Sequence, residues 1–165
     1  MAKSERKPLS LDATDHKILA ALVEDGRMST LDLADRVGLS PTPCSRRLRR
    51  LEESRVIEGY TARINHAALG LNICVMVTIR LARHGPETAG QFLQAIQGRP
   101  EITECLLVTG NIDYLLRVWV RDVEALRDFI KDALQSIPAV AETSTMVILD
   151  MTKSAGLLTA SATPS

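Results

Sequence analysis

Aromatic side chains are scarce in this chain of 165 residues, which has one tryptophan, two tyrosines and two phenylalanines. A core built from this sequence has to rely on aliphatic packing, and an apolar fraction of 45% is ample for that. The sequence also lacks an apolar run of the roughly 18 residues that a membrane span requires. It has no signal-peptide pattern at its start. We therefore expect a globular protein of the cytoplasm, without a membrane partner.

Cysteine and histidine are also rare. The three cysteines are far apart and odd in number, at Cys44, Cys74 and Cys105. This spacing suits neither a disulfide framework nor a zinc site, so we predict three small buried residues in a reducing compartment. The three histidines are scattered, at His16, His66 and His84. Because no Ser/His/Asp group, Cys/His pair or pair of carboxylates has a catalytic spacing, the sequence predicts no catalytic residue, no metal site and no cofactor.

Net charge is absent as well, since 20 Lys and Arg balance 20 Asp and Glu. A neutral protein has no blanket affinity for polyanions. Positive charge is nevertheless concentrated in residues 40–51, which hold four arginines and no acid. Ser40 suits a helix N-cap and Pro41 suits the first helical position. At 100° per residue, Cys44, Leu48 and Leu51 then share one face, so the arginines lie opposite or on the flanks.

The basic helix is the third of three predicted helices. Asp12 and Asp15 give the first helix a start that resembles a capping box. The second helix is preceded by Ser29 and followed by Gly38, and its small Ala34 permits a close helix crossing. Two short helices joined by a turn that contains glycine define a helix-turn-helix. This context favours a DNA-reading helix over a basic helix that is merely solvated.

A helix of this kind suits the major groove of DNA. Arginine can bind guanine edges with two hydrogen bonds, and hydroxyl groups reach phosphates or bases. The predicted DNA-binding residues are Ser40, Thr42, Ser45, Arg46, Arg47, Arg49 and Arg50. After this helix, residues 56–57 and 60–64 are short β candidates for a small wing, where Arg63 could touch a phosphate.

The second half of the chain has a different pattern. Its predicted elements are a strand at 73–81, a helix at 87–97, strands at 102–108 and 114–120, a helix at 123–137 and a strand at 140–150. The order β-α-β-β-α-β is that of ferredoxin-like domains. Apolar residues occur on both faces of the strands, for example Leu115 opposite to Leu116, so we expect the face without helices to pack on another subunit.

The predicted fold class is therefore α+β, with an N-terminal (winged) helix-turn-helix followed by a ferredoxin-like βαββαβ domain that we expect to form oligomers. The predicted limits are a flexible tail at 1–10, the helix-turn-helix at 11–64, a linker at 65–71, the ferredoxin-like domain at 72–152 and a second flexible tail at 153–165.

Two stretches resemble one family. Gly-Leu-Ser-Pro-Thr-Pro-Cys at 38–44, with the later Arg-Arg-Leu-Glu and Gly-Tyr-Thr-Ala, looks like the Lrp/AsnC (leucine-responsive, feast/famine) family of regulators. Residues 104–116, which include Val-Thr-Gly-Asn-Ile-Asp-Tyr, match it in the second half. The resemblance covers 11–152 and implies an amino-acid-sensing domain. It also implies homodimers that assemble into tetramers or octamers, with effectors bound between dimers near the loop after the second predicted strand.

That loop also suits a free amino acid on physical grounds. Gly110 permits close backbone approach, so that N–H groups can reach a carboxylate, and Asp113 is a charged acceptor for an ammonium. The predicted effector residues are Thr109, Gly110, Asn111, Asp113, Tyr114, Thr143 and Thr145, with Ser144 as a further hydroxyl. The alternative is an ordinary Gly-Asn hairpin turn that Asp113 caps. Many relatives have an acid where Asn111 stands and an aromatic where Ile112 stands, so the identity of the amino acid is left open.

The favoured function is a sequence-specific transcriptional regulator on the nucleoid, not an enzyme, that binds double-stranded DNA at a pseudo-palindromic site and responds to an amino acid. One alternative is an architectural DNA-organising protein with little effector control. Another is an enzyme like the siroheme decarboxylases, which share this architecture. Such an enzyme needs a positioned acid and has no role for an arginine helix.

Overall fold

The computed structural model describes residues 10–83 and 85–152. These residues form two compact units, one ending at Arg63 and the other spanning Ile64–Thr152. Apart from Ser10, the tails predicted at 1–10 and 153–165 lie outside the described residues, and so does His84. Within the described ranges, no helix is both long enough and apolar enough to cross a membrane.

The first unit consists of three helices, α1 (Ala13–Glu24), α2 (Thr30–Val37) and α3 (Pro41–Glu53). The predicted capping box of α1 is confirmed, because the Asp12 side chain accepts from the N–H of Asp15 while the Asp15 side chain accepts from the N–H of Asp12. Ser29 caps α2 as predicted. Gly38 ends α2 in the left-handed region, at φ 73° and ψ 38°, where a side chain would be strained. A turn of three residues then leads into α3, which is the spacing of a helix-turn-helix.

The core of this helical unit is small and local. Its buried residues are Ile18, Ala21, Leu33, Ala34, Val37, Cys44 and Leu51. The predicted inward face of α3 is confirmed, since the Cys44 and Leu51 side chains are fully buried and Leu48 packs against them. Ala34 is buried where α2 meets its neighbours, which agrees with the close crossing predicted from its size.

The two β candidates predicted after α3 are wrong, because residues 54–65 contain no strand. The N–H groups of Val56 and Ile57 both donate to the carbonyl oxygen of Leu51. The Tyr60 hydroxyl donates to Glu52 Oε1 over 2.9 Å. All three bonds hold the segment against the end of α3, and the two to Leu51 occupy backbone N–H groups that a strand at 56–57 would need.

The second unit has the predicted order of strands and helices. A short 3-10 helix at Ala67–Leu69 precedes β1 (Ile73–Leu81), α4 (Pro86–Ile96), β2 (Ile102–Leu107), β3 (Tyr114–Val120), α5 (Val123–Asp128), a π-helix at Phe129–Leu134 and β4 (Val140–Val147). The strands form one sheet in the order β2-β3-β1-β4, and each neighbouring pair is antiparallel. This is the predicted ferredoxin-like arrangement.

Several predicted elements differ in detail from the structure, α4 by one residue at each end. The helix predicted at 123–137 changes from α to π winding at Phe129. In the wider π turn, residues five apart lie on the same side, so Phe129 and Leu134 are both buried against the sheet. β2 and β4 end earlier than predicted, at Leu107 and Val147. The prediction extended β4 too far because apolar residues follow Val147. Of these, Leu149 is 95% exposed and lies outside the sheet.

Both long helices of this unit cover one face of the sheet. The buried core there is made of Val75, Val77, Ile79, Leu81, Phe92, Ile96, Tyr114, Leu116, Val118, Val120, Phe129, Ala133, Leu134, Ile137 and Ala139. Alternation places Met76, Leu115, Leu106 and Met146 on the opposite face, which we call the open face. Leu106 and Met146 are exposed there.

The prediction that all three cysteines are buried is wrong for one of them. Cys44 and Cys74 are buried, whereas Cys105 is exposed. Cys105 lies on β2, which is an edge strand of the sheet. Its apolar sequence neighbours, Leu106 and Leu107, are exposed as well.

Candidate nucleic-acid interface and effector loop

The outward face of α3 carries the side chains that the sequence singled out. Thr42, Ser45, Arg46 and Arg49 are all exposed. Together with Thr30 and Pro41 they line a shallow groove on the surface of the helix-turn-helix. The groove therefore combines hydroxyl groups with two guanidinium groups, which are donors suited to phosphates and to guanine edges.

Ser40 begins α3 as the N-cap residue, as predicted, but its hydroxyl accepts no capping hydrogen bond. An N-cap oxygen normally accepts from the N–H of the second or third helical residue. The third residue of α3 is Pro43, which has no N–H. The Ser40 hydroxyl is exposed at the start of the helix, where a phosphate oxygen is a suitable partner.

Arg47 and Arg50 point back toward α1. Arg47 Nη1 donates to Asp15 Oδ1 over 2.9 Å and to Asp12 Oδ2 over 2.6 Å. Arg50 Nη2 donates to the other oxygen of Asp15. The Asp15 side chain is fully buried, while the Arg47 and Arg50 side chains keep 28% and 44% of their exposure. These two predicted DNA-binding arginines therefore connect α3 to the first turn of α1.

The other two arginines are less constrained. Arg49 Nε donates to Glu53 Oε1 over 2.7 Å, but both side chains are more than 60% exposed. An exposed pair four residues apart on a helix contributes little to stability and is easily exchanged for another partner. Arg46 makes no hydrogen bond or ion pair with any described residue.

The ion pairs also change the acid–base properties of the groups. The hydrogen bond from the Asp15 N–H, helped by the Arg47 guanidinium, lowers the pKa of Asp12 from 3.8 to about 2. Hydrogen bonds to Asp12 and Asp15 raise the pKa of Arg47 above its usual value. Pairing with Glu53 raises the pKa of Arg49 in the same way. At neutral pH, Asp12, Arg47 and Arg49 are therefore ionised.

The predicted effector loop lies between β2 and β3. Thr109, Gly110 and Asn111 are exposed at its tip. Gly110 has φ 121°, a backbone conformation that residues with a side chain rarely adopt. The loop can therefore present backbone N–H groups to a ligand without side-chain crowding.

Asp113 and Tyr114 hold the base of this loop. One carboxylate oxygen of Asp113 accepts from the N–H of Leu81 over 2.7 Å. The Asp113 N–H donates to the carbonyl oxygen of Ile79 over 2.9 Å. Tyr114 is buried, with its ring 4.8 Å from that of Phe92. Asp113 and Tyr114 thus both have structural contacts. The alternative of an ordinary hairpin turn predicted such a contact for Asp113 only.

The predicted hydroxyl groups of β4 lie elsewhere in the sheet. Thr143 accepts a hydrogen bond from Gln135 Nε2 over 3.2 Å, and Thr145 is exposed. Thr143 is opposite Ile79, which is opposite Tyr114, so one strand separates β4 from the effector loop. Two strand spacings amount to about 10 Å. A single chain therefore does not bring the two predicted halves of the effector site into contact.

His16 and His66 belong to no candidate metal site among the described residues. No group of three or more His, Cys, Asp and Glu side chains that could hold a metal ion occurs in the part of the chain that the structure describes. His66 stacks on Trp119, with ring centroids 3.9 Å apart and planes 4° apart. Its role in the described structure is one of packing.

Comparison with known proteins agrees with this geometry. A family model for the Lrp/AsnC ligand binding domain matches residues 74–158, and one for a winged helix-turn-helix DNA-binding domain matches 11–58. The leucine-responsive regulatory protein of Escherichia coli K12 is 43% identical over 159 residues, covering 96% of this chain and 97% of that protein. That of Serratia marcescens is 42% identical over the same length.

Solved structures resemble most of the chain. A transcriptional regulator from Neisseria meningitidis, crystallised as a complex with L-Met, has a TM-score of 0.86 and 32% identity, covering 90% of this chain and 96% of that one. An AsnC family transcriptional regulator from Agrobacterium tumefaciens has a TM-score of 0.81 and 35% identity, with coverage of 87% and 94%. The likeness therefore spans both units, and not the DNA-binding part alone.

Proposed function

This chain belongs to the Lrp/AsnC family and is an effector-responsive, DNA-binding transcriptional regulator, and we propose that it binds a pseudo-palindromic site as a homodimer under the control of a free amino acid. The observation that supports DNA binding is the exposed face of α3, which follows the turn of a helix-turn-helix. Arg46 is central to it, because it is exposed and has no partner among the described residues.

We propose that the two α3 helices of a dimer enter successive major grooves, which are about 34 Å apart. The contact set is Ser40, Thr42, Ser45, Arg46, Arg47, Arg49 and Arg50. Arg46 and Arg49 are assigned to base edges because they point outward. Arg47 and Arg50 are assigned to the flanks of the helix. Their ion pairs with α1 leave fewer of their hydrogen-bond donors available to a phosphate.

The test of the DNA site is Arg46→Ala in the full chain. If Arg46 binds a guanine edge, its loss costs about 1–3 kcal/mol of specific binding and relaxes the preference at one base position. Fluorescence anisotropy on a duplex selected from genomic fragments measures this loss. The matched control is Lys17→Ala, which removes one exposed positive charge from α1. Equal effects of the two variants would contradict the assignment of α3 as the reading helix.

We propose that the amino-acid effector binds at the loop between β2 and β3. Backbone N–H groups around Gly110 bind its carboxylate, with Thr109, Asn111 and Asp113 beside them, and Thr143 and Thr145 contribute from a facing subunit. Tyr114 supports the loop from the core. The bound L-Met in the Neisseria meningitidis regulator supports an amino acid as the ligand class. Binding alters regulation only if the ligand prefers one assembly state of the protein over another.

The effector loop is tested by a thermal-shift screen of the twenty amino acids on Gly110→Ala. A ligand that prefers the native state raises Tm, and an alanine at φ 121° distorts the loop, so we expect the response to be lost. Gly98→Ala is the control, because Gly98 lies in the same unit and has an ordinary backbone conformation with open space around it. An equal response in both variants would place the effector elsewhere.

If no amino acid shifts the Tm of the unaltered protein, a purely architectural DNA-binding function replaces the effector-controlled one. We propose action in the cytoplasm on the nucleoid, by dimers that assemble further into tetramers or octamers through apolar surface such as the open face. We propose neither a cofactor nor an enzymatic reaction.

A further inference from the structure

We propose that Asp15 controls how much of the positive charge of α3 is available to DNA, by binding Arg47 and Arg50 from a fully buried position. This inference rests on the proposed reading of DNA by α3 and deepens it. Asp15 is a positioning residue in this proposal, since it acts on DNA only through the two arginines.

The contacts of Asp15 use both oxygens of its carboxylate. Oδ1 accepts from Arg47, and Oδ2 accepts from Arg50 and from the N–H of Asp12, the latter over 3.0 Å. The helix cap alone needs only an uncharged acceptor at this position. A buried negative charge is costly unless it is paired, so the ionised carboxylate is accounted for by the arginines and not by the cap.

The charges around this contact cancel. Asp12 and Asp15 supply two negative charges, and Arg47 and Arg50 supply two positive ones. The guanidinium groups of this neutral cluster are turned toward α1. The adjacent residues on the helix, Arg46 and Arg49, are rotated by 100° from them and point into the exposed groove. Although α3 has four arginines, the positive charge of only about two of them therefore faces outward.

The consequence concerns selectivity. Affinity for DNA of any sequence grows with the number of phosphates that the protein neutralises, and each one steepens the dependence of log K on log[salt] by about 0.9. By holding two arginines, Asp15 keeps this unselective part of the binding low. Base contacts by Arg46 and Arg49 then supply a larger share of the binding free energy, so that binding discriminates better between DNA sequences.

The first experiment uses Asp15→Asn in the full chain. Asparagine keeps the shape and one acceptor oxygen but removes the charge that pairs with the arginines. On a random-sequence 30-base-pair duplex between about 50 and 300 mM KCl, we expect the slope of log K against log[salt] to become steeper by about one to two. The ratio of specific to unspecific affinity should fall at least threefold.

The control is Glu58→Gln, which removes one exposed negative charge from the same unit. It changes the net charge as Asp15→Asn does but has no contact with α3 among the described hydrogen bonds and ion pairs. A slope that stays unchanged in a folded Asp15→Asn protein, or that steepens equally in Glu58→Gln, overturns the proposal.

A second pair of variants covers the case in which Asp15→Asn fails to fold. Arg49→Gln and Arg50→Gln each remove one positive charge from α3. We expect Arg49→Gln to reduce the steepness of the slope by about one, and Arg50→Gln by less than half as much. Equal reductions overturn the role of Asp15 while the reading by α3 stands. No reduction in either variant overturns both.

Discussion

The helical unit and the α/β unit leave different kinds of surface exposed. The exposed face of α3 is polar and basic, with Thr42, Ser45, Arg46 and Arg49. The α/β unit exposes large apolar side chains on its outer strands, namely Leu106, Leu107, Met146 and Val147. Exposed cations suit a polyanion, whereas large exposed apolar side chains suit another protein surface. The contrast supports the proposal that DNA binds to the first unit and another subunit to the second.

The two interiors differ in the same sense. Among the described residues, Asp15 is the one charged or polar residue in the buried set. It lies in the helical unit, where it connects α1 to α3. The buried core of the α/β unit is apolar and relies on the sheet and its helices. The position of α3 thus depends on a buried ion-pair network in addition to apolar packing, while the buried core of the second unit contains no charged residue among those described.

The largest expected effect that tests this contrast is that of Asp15→Ala. Removing one partner of a buried ion pair typically costs about 3–5 kcal/mol, and we expect the lower end because Arg47 and Arg50 can still reach water. Hydrogen exchange should show lost protection in residues 10–63 and native protection in 64–152. Asp12→Ala, which removes an exposed carboxylate, should have a smaller effect. Equal loss of protection in both units would mean that the network supports the whole chain.

An intermediate effect is expected for Met146→Glu on the open face. If this face joins two subunits, a charge placed in the contact should weaken dimer formation about tenfold or more, which corresponds to about 1.4 kcal/mol. Sedimentation velocity over a concentration series measures the change. Gln94→Glu on the exposed surface of α4 introduces the same charge outside the open face and should leave the dimer intact. Unaltered association in Met146→Glu would exclude the open face as the interface.

The smallest effect concerns acid stability. The folded pKa of Asp12 is about 2 against an ordinary 3.8, so its contribution to stability is fully present above about pH 4 and is lost as the pH falls through 2. Asp12→Asn should flatten the pH dependence of stability of the helical unit between pH 4 and 2. The α/β unit should titrate as before. Circular dichroism and NMR between pH 2 and 5 follow the two units, and an unchanged acid limb would refute the role of Asp12.

Much of the fold could be predicted because its signals are local. Capping residues such as Asp12 and Ser29, the left-handed Gly38 and the alternation of β1 all act within a few residues of chain. The wing strand at 56–57 was predicted wrongly because hydrogen bonds to Leu51 compete for its N–H groups. Cys105 was predicted to be buried because apolar neighbours do not reveal that β2 lies at an edge.

The candidate sites likewise include features that local sequence signals predicted and features that they did not. The outward set of α3 follows from helical periodicity and was predicted correctly as exposed. The capture of Arg47 and Arg50 was missed because Asp15 is more than 30 residues away in sequence. The capping box by itself also explains why a carboxylate, that of Asp15, stands three residues after the acidic N-cap residue. No local signal therefore pointed to a second role for Asp15.

The sequence by itself determined that this chain has a helix-turn-helix with an arginine helix, followed by a βαββαβ unit, because periodicity, caps and turns are properties of short segments. Tertiary structure alone decided that Arg47 and Arg50 pair with Asp15, which face of the sheet stays open and that Asp113 binds the backbone of Leu81. These outcomes depend on which distant residues meet, and a buried charge is stable only where folding brings its partners to it.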